Sequence, residues 1–212
     1  MVAALEPDRR RLVRRGRRLE YFTIAWNGIE AVVSILAGLA AASTSLLGFG
    51  LDSLIEVLSG AALLWRLGHE FHPTRRESVE RATHRIVGAC FLALSAYVAF
   101  ESASSLLRRE EPGRSIPGIA MAAAAVVVMP LLARAKRRVA AGIASGAMRS
   151  DARQADFCMY LSAILLAGLL LNAARGWWWA DPAAGLVMVP IIAREGIAAF
   201  RGRPCCDNCH GG

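Results

Sequence analysis

The chain has 212 residues, 55% of them hydrophobic, and a mean hydropathy of +0.40. A soluble domain of this size builds a core but does not usually repeat apolar segments of membrane-spanning length about six times, so an all-α polytopic membrane protein is expected. The formal net charge is +8, and seven of the 25 Lys and Arg lie between Arg9 and Arg18. Hydrophobic segments rather than a recognition fold follow this basic head, which is therefore read as an anchor against anionic lipid headgroups and not as a nucleic-acid site.

In chain order the spans are predicted at 21–44, 46–66, 84–107, 116–134, 150–173 and 181–200, each about long enough to cross the hydrocarbon. The implied division is a basic cytoplasmic segment (1–20), a six-helix transmembrane domain (21–203) and a Cys/His-rich cytoplasmic tail (204–212). The first apolar stretch is long and lacks an early small-residue cleavage pattern, unlike a cleavable signal peptide. Six crossings leave both termini on one side. That side, with the loops after spans two and four, carries 21 basic residues, with Arg134–Arg138 counted in a loop. The other side carries 4, namely Arg108, Arg109, Arg114 and Arg175. Both ends are thus expected to be cytoplasmic, in an inner membrane.

Span one places Asn27 and Glu30 three apart on one face, and the small residues of Leu36–Ser45 permit close helix approach. The short link that follows implies a helix hairpin, as does the one after span five. Span two reads "GFGLDSLIEVLSG", which sets Asp52 and Glu56 four apart, one above the other in apolar surroundings. A carboxylate at bilayer depth costs kilocalories per mole unless it is paired, solvated, protonated or metal-bound. No Lys or Arg at that depth is an obvious partner, so a cation shared by the two acids is expected. The rival is a protonated pair bonding between helices.

The stretch His72–Arg85 is polar and basic and is read as a cytoplasmic linker, with His69, His72 and His84 as ordinary solvated residues rather than metal ligands. Span three carries Glu101 toward its non-cytoplasmic end. Span four, "IAMAAAAVVVMP", has no charge and is read as packing surface. In span five Asp151, Gln154 and Cys158 fall on one helical face, while Asp156 points elsewhere. The small residues of Ser162–Leu171 again permit close approach. Cys158 offers a soft ligand, Asp52 and Glu56 hard oxygens, and Gln154 a weak neutral one; zinc tolerates such a mixture, with other divalent transition metals open. "GWWWADP" at Gly176–Pro182 suits a membrane interface belt and opens the next helix. After span six, Cys205, Cys206, Cys209 and His210 form a compact set of soft ligands suited to Zn²⁺ or Cu⁺.

Together these motifs resemble the transmembrane part of the cation diffusion facilitators, zinc and divalent-metal exporters driven by proton exchange. That family carries a His/Asp-x-x-x-Asp pair on helix two and another on helix five. The first pair falls on Asp52 and Glu56, with the usual serine at Ser53 and an acid one methylene longer at Glu56. Registering helix five on Gly168 and "AMRSDARQ" puts the second pair on Gln154 and Cys158, with Asp151 where the family often has Asn. "YVAFESASSLL" matches a Tyr-x-x-x-Glu-Ser stretch at Glu101, and "WADPAAGLVMVPIIAREGIAAFRG" is similar to the sixth helix. The resemblance covers roughly residues 20–203. "GFGLDSLIEVLSGAALLWR" is nearer to the transmembrane protein 163-like branch, whose members lack the appended cytoplasmic metal-binding domain.

The resemblance implies a secondary transporter rather than an enzyme, with no catalytic residues and no resident cofactor. Zinc would be exported in exchange for protons through Asp52, Glu56, Gln154, Cys158 and Asp151; Asn27, Glu30, Glu101 and Asp156 are expected, from their places in the spans, as accessory polar residues. It further implies a homodimer among membrane lipids. The alternative is a membrane metal-binding or regulatory protein that transports nothing.

Overall fold

The computed structural model describes residues 5–68, 73–143 and 146–201. They form six helices: α1 (Leu5–Ala41), α2 (Thr44–Gly68), α3 (Pro73–Arg108), α4 (Ile116–Ile143), α5 (Gly146–Arg175) and α6 (Ala180–Phe200). Each contains a stretch long and apolar enough to cross a membrane. The protein is an all-α, six-transmembrane-helix bundle.

Two stretches depart from the sequence expectation. The polar run His72–Arg85, expected as a linker, is helical from Pro73 onward and extends α3 beyond its apolar span. Proline needs no amide partner in a first helical turn, and the Arg, Glu and Ala that follow are strong helix formers. His69, His72 and the side chain of His84 lie outside the described residues. Likewise α4 continues past residue 134 to Ile143, so Lys136, expected in a loop, belongs to a helix.

The connections at the end of the bundle away from the termini are locally capped. Ala42 takes a left-handed φ of 49° between α1 and α2, and Ser43 Oγ accepts the Leu46 amide at 3.2 Å to start α2. Ser115 Oγ caps α4 in the same way, accepting the Gly118 amide at 3.1 Å. Gly176, at φ 66°, ends α5 and returns its amide to the Asn172 carbonyl at 3.0 Å. Beyond it Trp177 and Trp179 stack with centroids 5.2 Å apart, and the Arg175 guanidinium sits 5.1 Å from the Trp177 ring. Asp181, buried in the first turn of α6, accepts hydrogen bonds from Ser43 (2.6 Å) and Ser45, tying α6 to the α1–α2 turn.

Helix α2 packs against α1, α3, α5 and α6, so its side chains face inward on several sides. The apolar core joins Leu46, Phe49 and Ile55 of α2 to Phe91, Val98, Met129, Leu165 and Met188 from four other helices. Small residues set the closest approaches. A Cβ on Gly168 would meet the Ala184 Cβ at 2.7 Å, and one on Gly88 would stand 2.7 Å from Phe200 Cα and 2.8 Å from the Gly196 carbonyl. Because the obstacle at Gly88 is backbone, Gly88→Ala is expected to force α3 and α6 apart and cost about 1–3 kcal/mol, read as a lowered melting midpoint in detergent.

Candidate metal centre

Asp52 and Glu56 stand one turn apart on α2, and Cys158 faces them from α5. One ligand atom from each lies within 4.8 Å of the others, and all three residues are buried. Among the described residues this is the one group of three or more His, Cys, Asp or Glu placed to hold a metal ion. Two carboxylate oxygens and a sulfur at that spacing can enclose a divalent transition metal.

The acids are held differently. Glu56 Oε2 accepts a hydrogen bond from Asn27 Nδ2 of α1 at 2.6 Å. Asp52, only 3% exposed, makes no hydrogen bond or ion pair among the described residues. A buried, unpartnered carboxylate is costly and stays in a fold where something of opposite charge completes it. The Asn27 Oδ1 is a second orphan, fully buried and without a hydrogen-bond partner.

Glu30 of α1, fully buried, closes the cluster from behind. Its Oε1 accepts from Ser53 Oγ at 2.7 Å and from the Cys158 thiol at 3.6 Å, and its Oε2 accepts from Trp26 Nε1 at 2.8 Å. Three donors from α1, α2 and α5 therefore fix Glu30, and through it the position of the Cys158 sulfur.

The other expected site residues lie outside this group. Gln154, one turn before Cys158, is half-buried; its Oε1 accepts from Ser59 at 3.1 Å, and its Nε2 has no partner. Asp151, another turn back, is bound to Lys136, whose Nζ lies 2.5 Å from Asp151 Oδ2. Asp156 points away and pairs with Arg137 at 2.5 Å, and Glu101 is half-buried on α3. Cys205, Cys206, Cys209 and His210 lie outside the described residues.

Sequence reasoning missed a second buried charged group. Lys136, 1% exposed, also lies 3.3 and 3.4 Å from the two carboxylate oxygens of the fully buried Glu20. Glu20 Oε1 and Asp151 Oδ2 meet Lys136 as ion pairs, which charge attraction holds. The signal was present: Lys136 continues the stripe Ala122, Ala125, Met129, Ala133 and on to Ala140, the buried face of α4. Glu195, on α6 and also overlooked, lines a cavity with Asp52, Glu56 and Gln154.

Comparison with curated proteins finds no match to the chain. A family model described as the cation efflux transmembrane domain matches residues 21–201. With that match running from the start of its first apolar segment to the end of α6, the chain belongs to the cation efflux family.

Proposed function

We propose that the protein exports divalent transition-metal cations, zinc foremost, across an inner membrane in which both termini are cytoplasmic. The observation that carries this reading is Asp52: a buried carboxylate with no hydrogen-bond or ion-pair partner among the described residues, one turn from Glu56 and facing Cys158. A cation there would neutralise both acids, and Asn27 Oδ1, orphaned beside Glu56, is suited to be a fourth donor. Protons compete with metal for the same ligands, which supports exchange of outgoing metal for incoming protons. The basic residues concentrated at the termini and in the connections on their side support the orientation. Residues 1–20 would serve as the lipid anchor and 204–212 as a metal-acquiring tail through Cys205, Cys206, Cys209 and His210. The likeness to the transmembrane protein 163-like branch further supports a homodimer that pairs through the 21–203 helices.

A second reading, a metal-binding or regulatory protein without transport, is favoured by Gln154, whose side chain is engaged by Ser59 rather than placed among the ligands. Proteoliposomes carrying a pH gradient separate the two. The wild type is expected to take up Zn²⁺ and Cd²⁺ saturably and in preference to Mn²⁺, because a thiolate favours softer ions. Cys158→Asp should narrow that preference about tenfold or more, as a hard oxygen replaces sulfur. Absence of uptake for every ion by folded protein that still binds metal would favour the second reading.

A further inference from the structure

The Asp52–Glu56 pair has two sides. On one stand Cys158, Asn27 and Glu30. On the other is a cavity of about 10 Å³, lined by these two acids, Gln154 and Glu195 and walled by apolar side chains that include Phe91 and Phe157. That space holds roughly one water, and a bare divalent cation is no larger. Asp52 borders it, so a buried carboxylate without a hydrogen-bond or ion-pair partner among the described residues faces a space able to admit a ligand.

The cavity also has a direction. Helix α6 runs toward the end of the bundle that carries the termini, and Glu195 lies five residues before its last residue, Phe200. Helix α5 starts at that same end, and Gln154 precedes Cys158 by one turn. Gln154 and Glu195 therefore both lie on the terminal side of the metal cluster. Glu195 is half-buried; Asp52 repels it across the cavity, and Arg153 of α5 attracts it. A cation between Asp52 and Glu195 would turn that repulsion into two attractions.

Resting on the reading of Asp52, Glu56 and Cys158 as the transport site, we infer that Glu195 is a relay carboxylate, which takes a divalent cation at the terminal side of this cavity and hands it to Asp52. Its role is in the rate of capture rather than in the final ligand set, because Cys158 and not Glu195 belongs to the compact group.

The test uses Co²⁺ with the full-length chain in detergent, carrying Cys90→Ser, Cys205→Ser, Cys206→Ser and Cys209→Ser so that thiolate absorption reports Cys158 alone. In stopped-flow mixing, Glu195→Gln is expected to slow appearance of the cobalt–thiolate band about tenfold with an unchanged final spectrum. Glu195→Asp should recover at least about half of the unsubstituted rate, since charge is what the relay requires. If Asp52→Asn removes the band while Glu195→Gln binds at the unsubstituted rate, the relay is wrong and the site stands. Retention of the band in Asp52→Asn overturns the site, and the relay with it. Slowed binding that Glu195→Asp does not recover, together with a lowered melting midpoint, would make Glu195 a structural partner of Arg153 and overturn the relay.

Discussion

Asp52→Asn is expected to abolish metal uptake in proteoliposomes, by at least about 100-fold, without loss of fold. Removing a group that merely supports a ligand already costs 10–100-fold in metal affinity, and here a ligand and a charge are lost together. Asparagine is nearly isosteric with aspartate, and Asp52 has no hydrogen-bond or ion-pair partner among the described residues to leave stranded. Removing a buried, unpaired charge also relieves its desolvation. The metal-free variant should therefore melt at the same temperature as the wild type or higher, while zinc no longer raises its melting midpoint. That combination marks a site under functional constraint. A variant that transports normally would refute the role of Asp52, and one that unfolds would make Asp52 structural.

The second large effect concerns the charged group nearer the termini. Lys136→Met should destabilise the bundle by about 3–5 kcal/mol, because it leaves Glu20 and Asp151 as uncompensated charges in the interior. The physical cause predicts its own rescue. Adding Glu20→Gln and Asp151→Asn to Lys136→Met removes the stranded charges, and the triple variant should recover most of the loss. A melting series of the single and combined variants measures the coupling directly. Simple additivity would show that the three do not act as a unit. Asp151 was expected among the metal ligands, and the series also tests this: a ligand role predicts weakened zinc stabilisation in Asp151→Asn even when Lys136 is replaced.

Much of the protein was legible from residue pattern because a bilayer simplifies the problem. Every buried backbone group must bond within its own segment, so long apolar runs become helices whatever their neighbours. Hence the six helices, and the suspicion that fell on Asp52 and Glu56, whose four-residue spacing survives in α2. Where water can solvate the backbone that constraint lapses, and residue pattern does not show that the polar stretch before the third span is helical. Charge misled for a related reason: Lys136 among Arg134, Arg137 and Arg138 looks like a cytoplasmic cluster, yet its helix face turns it inward while Arg137 turns out to Asp156.

By itself the sequence determined the class, the number of crossings, the helix-two acid pair and the resemblance to a family that the match over 21–201 establishes. Each follows from local chemistry, since hydropathy and helical spacing are properties of one segment at a time. Which residues from different helices meet is not such a property. Asp151, Gln154 and Cys158 share one face of α5, and the sequence could not say which of them reaches Asp52. Only the packing of α5 against α2 and α4 brings Cys158 to the acids, leaves Gln154 with Ser59 and gives Asp151 to Lys136. Distances across helices are set by how small residues let backbones approach, and those contacts exist only once the whole bundle is assembled.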